Sequence, residues 1–171
     1  LIYIRAIRRH ALPHPLNSAF QLAQAIAKEL PSKIETEIMK VAANIPIGAS
    51  ASRSVVVTRE LTVAHFHEDM PEVYGTPLMI YLMEVAAAAA IQTYLPEGWV
   101  SVGVLVEVKH LAATPVGLTV TATAKVISVE DNTVTFTVEA HDGVEQIGEG
   151  RHIRAPVHLK RFVQRVKLKS G

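Results

Sequence analysis

Glu84 is the only charged residue between Pro77 and Ile91, in the run PLMIYLMEVAAAAAI. An ionised carboxylate in apolar surroundings is costly unless it is paired. Desolvation also makes a carboxylate a better proton acceptor near neutral pH. A lone glutamate of this kind therefore marks a base or a nucleophile as readily as a structural pair at a helix edge or dimer seam.

Two further residues could join it. In SVGVLVEVKH (101–110), strand alternation puts Val104, Val106, Val108 and His110 on one face, with Leu105, Glu107 and Lys109 on the other. The valine face should meet the helix, so His110 is expected to point into the interior that holds Glu84. Taken alone, it reads as a core histidine with a backbone partner. Thr76 stands before Pro77 at a strong helix start, and capping alone would explain it. The same place offers free backbone N–H groups to an anion or a developing oxyanion. Thr76 and Glu84 lie eight residues apart, about 12 Å along one helix, too far to reach one carbonyl easily. A site shared across a two-fold dimer removes that difficulty.

Other polar stretches carry less. HFHEDM (65–70) holds His65, His67, Glu68 and Asp69. Without an evident fourth ligand it reads as a polar loop over an active-site mouth rather than a metal site. In IGEGRHIR (147–154), the alternating Gly148 and Gly150 suggest a close backbone approach or a bulge. Arg151, His152 and Arg154 could meet phosphate or be exposed edge charges. The basic tail from Lys160 to Lys169 reads as a solvated face.

The 171 residues are 49% apolar and 19% charged, which suits one domain with a well-filled core. A formal net charge of +1 is too small for a general nucleic-acid footprint. With no cysteine, disulfides, thiolate zinc sites and a cysteine nucleophile are excluded, and a cytoplasmic location is expected. No run reaches the roughly 18 apolar residues of a membrane span. The chain starts at Leu1, which suggests trimming or a start placed upstream, with Met39 as an alternative start. Residues 1–28 have four cations and no acid; an extension explains this better than a transit peptide does.

Residues 1–45 are expected to form an N-terminal helical extension, with helices over 17–30 and from Ser32, the latter opened by Ser32 and Glu35 at capping-box spacing. NIPIGASAS reads as a linker. The domain proper, 46–171, begins with a strand at 54–63 and a helix from Thr76 to about Leu95. Four strands in a meander follow, with turns at EDN (130–132) and HDGVE. The fold class is α+β, an antiparallel sheet wrapped around a long central helix that it buries nearly all round.

The stretches PEVYGTPLMIYLMEVAAAAA, GVLVEVKHLAATPVGLTVTATA and AHDGVEQIGEG resemble the hotdog-fold thioesterases of the fluoroacetyl-CoA thioesterase type, over about residues 52–168. The resemblance implies a homodimer with acyl-CoA at the subunit interface. It implies that Thr76, Glu84 and His110 are catalytic and that Gly103 lies near the reacting carbonyl. It gives Arg154 a structural or CoA-side role. Met70 stands where the family's fluoroacetyl specialist has an aromatic lid residue, and Pro77 replaces a glycine. The expected reaction is hydrolysis of a small acyl-CoA, with no metal or redox cofactor and with neither nucleic acid nor membrane as partner. A hotdog enoyl-CoA hydratase or dehydratase and a non-catalytic acyl-CoA-binding module are the alternatives.

Overall fold

Alanine-rich sequence behind an early proline favours helix and keeps its surface thin. The computed structural model describes residues 32–169, with side chains from Thr36 onward. The helix expected over 17–30 and the basic start of the chain lie outside the described residues, as do the capping-box side chains of Ser32 and Glu35. The described elements begin with helix α1 (Ser32–Ala43) and strand β1 (Ser50–Val56). A short helix α2 (Val63–Phe66) and the long helix α3 (Thr76–Gln92) follow. Strands β2 (Trp99–His110), β3 (Thr119–Glu130), β4 (Thr133–His141) and β5 (Gln146–His158) lead to a last helix, α4 (Leu159–Lys167).

The five strands form one sheet in the order β1-β3-β4-β5-β2, with every pairing antiparallel. This corrects the expected four-strand meander. Only β3, β4 and β5 run as a meander, while β2 crosses to the far edge beside β5. The connection 111–118 is long enough to pass the ends of two strands spaced about 4.8 Å apart. It is held there by Leu111 N–H donating to the Ile147 carbonyl at 2.8 Å.

The first strand also differs from its expected limits. It begins at Ser50, within the supposed linker, and Ser52 and Ser54 pair through their hydroxyls with Thr123 and Thr121, each at 2.8 Å. The expected strand end at 57–63 is instead irregular, with a 3-10 turn over Arg59–Leu61. Cross-strand hydroxyl pairs outweigh the β-branched run as the strand signal here.

Met79, Met83, Ala86, Ala87, Ala90 and Ile91 recur at helical spacing and are buried. They pack against Val120, Ala122, Ala124 and Val126 of β3 and Val134, Phe136, Val138 and Ala140 of β4 in one core. Each larger apolar side chain buried there contributes about 1.5–3 kcal/mol. The helix is not enclosed all round, however. Tyr81 is 66% exposed, and Val85, Ala88 and Ala89 are only half-buried. In one chain the sheet covers one side of α3 and leaves an apolar strip open.

Two glycines let β5 meet its neighbours. A Cβ on Gly148 would stand 2.6 Å from Sδ and 2.8 Å from Cε of Met79. A Cβ on Gly150 would land on the Glu107 carbonyl and lie 2.8 Å from Cα of Val108. The close approach expected from the alternating glycines is therefore real, but of two kinds. A flexible methionine can yield and a strand backbone cannot. Accordingly, Gly150→Ala should cost about 3 kcal/mol or more in denaturant unfolding, and Gly148→Ala about 1 kcal/mol. Equal losses would contradict this account.

Candidate active site

Helix α3 starts one residue before the place expected from capping. Gly75 occupies the N-cap with φ −73° and ψ 132°, and no side chain caps the helix. Thr76 is the first helical residue, so its hydroxyl is free for another task. It lies 2.7 Å from Nδ1 of His110, at the end of β2. Nε2 of His110 is buried without a hydrogen-bond partner. Thr76 thus orients the ring through one nitrogen and leaves the other available for proton transfer.

The approach of Thr76 to His110 is enforced from behind. Tyr74 N–H donates to the Thr114 carbonyl at 2.8 Å, and Val73 bridges Pro115. Thr114 Oγ1 donates to Oδ2 of Asp142 at 3.1 Å, while Oδ1 accepts from the backbone N–H groups of Val144 and Glu145, both at 2.9 Å. Asp142 therefore ties the β4–β5 turn to the loop after His110, and that loop to the segment entering Thr76. Tyr74 is packed in the core, and burial pushes its phenol up to about 12.

Glu84 belongs to a second cluster. A bulge in β2 between Gly103 and Leu105 shifts the pairing with β5. Before it, Ser101 and Gly103 face inward; after it, Val106, Val108 and His110 do. The expected alternation was right for His110 but wrong for Val104, which is 60% exposed. The shift brings Gly103 under Glu84, whose Oε2 would be 3.4 Å from a Cβ there. The missing side chain leaves a small gap beside the carboxylate.

Arg154, which is 6% exposed, lies next to that gap on β5. Its Nε donates to Ser101 Oγ at 2.9 Å and its Nη2 to the Ser101 carbonyl at 2.7 Å. Nη1 donates to Nε2 of His152 at 3.1 Å, and makes longer contacts with the carbonyl and Oε2 of Glu84 at 3.4 and 3.5 Å. Burial draws the guanidinium below its ordinary value, and the Glu84 carboxylate opposes that. The side chain of Glu84 remains 37% exposed, so the carboxylate is anchored on one side and accessible on the other.

In one chain no hydrogen bond among the described residues joins Glu84 to His110 or Thr76; the three sit in two clusters along α3 and β2. Met70 is 47% exposed in the segment leading to Thr76, and His65 and His67 there are exposed too. Among the described residues no three acidic or histidine side chains group as a metal site. Arg151 faces outward beside Glu107, but His152 and Arg154 are buried, contrary to an exposed charged edge. Sequence reasoning missed Ser101, His152 and Asp142 as parts of the site. Alternation from Gly148 through Gly150 points His152 and Arg154 inward, whereas the bulge that turns Ser101 inward has no sequence signal of its own. A groove of about 790 Å³ lies on the opposite face of the sheet, lined by Lys109, Thr123, Lys125 and Glu149 among others. Thr76, Glu84, His110 and Arg154 are not among its lining residues.

The Asp142 network is acid-sensitive. The backbone N–H of Glu145 is the main cause holding its carboxyl below the ordinary value; burial opposes this, and Val144 and Thr114 assist. Its stabilisation is complete above the unfolded value and is lost as pH falls through the lower folded one. Asp142→Asn should lower stability at neutral pH by about 1–3 kcal/mol, with the gap from the parent narrowing in acid. Denaturant titrations at several pH values would show this, and a gap that does not change with pH would refute it.

Comparison with known proteins places this arrangement in context. The model of a family described as fluoroacetyl-CoA-specific thioesterase, FlK, matches residues 57–160. The fluoroacetyl-CoA thioesterase of Streptantibioticus cattleyicolor is 42% identical over 130 residues, covering 72% of this chain and 94% of that protein. A solved structure of the fluoroacetyl-CoA thioesterase FlK aligns with a TM-score of 0.69 at 42% identity, over 72% of this chain and 96% of its own. A hot-dog-like protein from Thermanaerovibrio acidaminovorans aligns with a TM-score of 0.71 at 30% identity, over 78% of this chain and 98% of its own.

Proposed function

This chain belongs to the FlK family of hotdog thioesterases and is an acyl-CoA thioester hydrolase, and we propose that it cleaves small, short-chain acyl-CoA with Glu84, His110 and Thr76. The observation that carries the assignment of roles is the anchoring of Glu84. Arg154 Nη1 holds its Oε2 at 3.5 Å on one side and Gly103 leaves room beside it. Either Glu84 attacks the thioester carbonyl, forming an anhydride that water then hydrolyses to the free acid, or it takes a proton from the water that attacks directly. In both routes the C–S bond breaks and the thiolate of CoA leaves with a proton. His110, oriented by Thr76, supplies that proton or accepts one from water. At the start of α3, Pro77 has no N–H and those of Leu78 and Met79 donate to the Gly75 carbonyl, which leaves the Thr76 N–H to meet the oxyanion. Coenzyme A enters as part of the substrate, and the mechanism calls on no metal or redox cofactor.

The proposed unit is a homodimer with shared sites. Strand β2 has only β5 beside it in the sheet. Val104 and Val106 on that edge strand are 60% and 38% exposed, and Tyr81 on α3 is 66% exposed. An unpaired edge with apolar neighbours favours pairing with a second copy. A two-fold arrangement would let the Thr76–His110 pair of one protomer face Glu84 of the other, which one chain does not achieve. Small acyl groups are favoured because the relatives act on fluoroacetyl-CoA, and Met70 and Gly103 are assigned to the substrate's surroundings. No helix among the described residues is long and apolar enough to cross a membrane; cytoplasmic residence belongs to the same proposal.

Glu84→Gln, which keeps an acceptor for Arg154, and His110→Ala should each lower kcat about 10²- to 10⁴-fold on an acyl-CoA panel. Size-exclusion chromatography should still show a folded dimer. Full turnover in either variant would sink the assignment. Mixing the two inactive variants tests the sharing. Half of the randomly paired dimers would be mixed, each with one intact site, restoring about a quarter of parental activity. No restoration from confirmed mixed dimers would place each site within one chain.

A further inference from the structure

The buried imidazole of His152 takes no part in the chemistry proposed above, yet both of its nitrogens are committed. Nδ1 lies 2.8 Å from the carbonyl oxygen of Leu105, immediately after the β2 bulge. Nε2 lies 3.1 Å from Nη1 of Arg154. A carbonyl can only accept and a guanidinium can only donate. Nδ1 must therefore carry the proton and Nε2 must be bare, so the geometry admits a single neutral tautomer. Nη1 is also the nitrogen of Arg154 that reaches Glu84.

We propose that His152 is a positioning residue, whose neutral Nδ1–H form holds Arg154 and, through it, the Glu84 carboxylate. This rests on the reading of Glu84 as catalytic. The chain of contacts runs from the bulge carbonyl to the imidazole, then to the guanidinium, then to the carboxylate. Ser101 fixes Nε and Nη2 of Arg154, and His152 is the acceptor that fixes Nη1. Without it, Nη1 is left with only its two longer contacts to Glu84.

The surroundings keep His152 neutral. The ring of Phe136 on β4 lies with its centroid 6.2 Å away, and a Cβ on Gly103 of β2 would lie 3.4 Å from Cε1. The charged groups facing it are Arg154 on its own strand and Glu84 on α3. Burial is the main cause lowering its basicity. The Leu105 carbonyl opposes this, Arg154 adds to it, and Glu84 opposes it. A second proton would turn an N–H toward an N–H and break the contact with Arg154.

The experiment pairs imidazole ¹⁵N NMR with kinetics of two variants on the most active acyl-CoA. In the unliganded protein, His152 should show the neutral Nδ1–H tautomer at about pH 6, where an ordinary histidine is largely charged. A charged ring or the other tautomer would overturn the proposal, whether or not the protein hydrolyses thioesters. His152→Phe should lower kcat about 10- to 100-fold while KM changes little. His152→Gln, which can again offer Arg154 an acceptor, should recover much of that loss. Full kcat in a folded Phe variant, or a loss confined to KM, would overturn it. Should the Phe variant fail to fold, the tautomer and the kcat of the Gln variant decide, a Gln kcat reduced beyond 100-fold counting against the proposal. Absence of turnover in the parent would fail the thioesterase reading instead, leaving the NMR result to judge the hydrogen bond.

Discussion

A guanidinium placed under a helix must have its charge answered locally. Arg154 is that group, and the surrounding structure is arranged to answer it. Ser101 meets it through hydroxyl and carbonyl, His152 through a bare nitrogen, and Glu84 through a carboxylate and a backbone carbonyl. These partners come from β2, β5 and α3. The bulge at Gly103 is what allows this, since without it Ser101 and His110 could not both face inward. One local irregularity in a strand thereby serves two clusters, with Glu84 held at one and His110 presented at the other.

The core supplies rigidity for this arrangement. Alanines on α3 and small or absent side chains on β3 and β5 bring helix and sheet close, and Met79 and Met83 fill what remains. Close packing of this kind resists small shifts, as a site built on two separate elements requires. The other side of α3 and the free edge of β2 are less covered, with Tyr81, Val104 and Val106 exposed there. The incomplete face and the divided site lie on the same helix and the same strand.

Much of the site was legible because its residues are chemically out of place. A single glutamate in an otherwise apolar run of fifteen residues and a histidine in phase with three valines stand out by type and period. The resemblance read over about 52–168 contains the matched span 57–160. Thr76 was found for a reason the structure revises: it is not the cap, and its hydroxyl turns to His110. The resemblance gives Arg154 a structural or CoA-side role, while His152 beside it reads equally as a phosphate contact or an exposed edge charge, since a charge in a strand does not reveal how deeply its face is covered.

Sequence alone determined the periods, the turns and the chemical types: a long apolar helix with one carboxylate, alternating strands, and glycines where backbones must approach. These are short-range properties, set by side-chain spacing and backbone freedom within a few residues. Tertiary structure decided the strand order, the bulge, and the placing of His110 with Thr76 rather than with Glu84. It also decided that Asp142 would hold the loop behind Thr76. Each of these depends on which distant segments share a hydrogen-bond ladder or a buried charge, and local sequence does not encode a partner that lies tens of residues away.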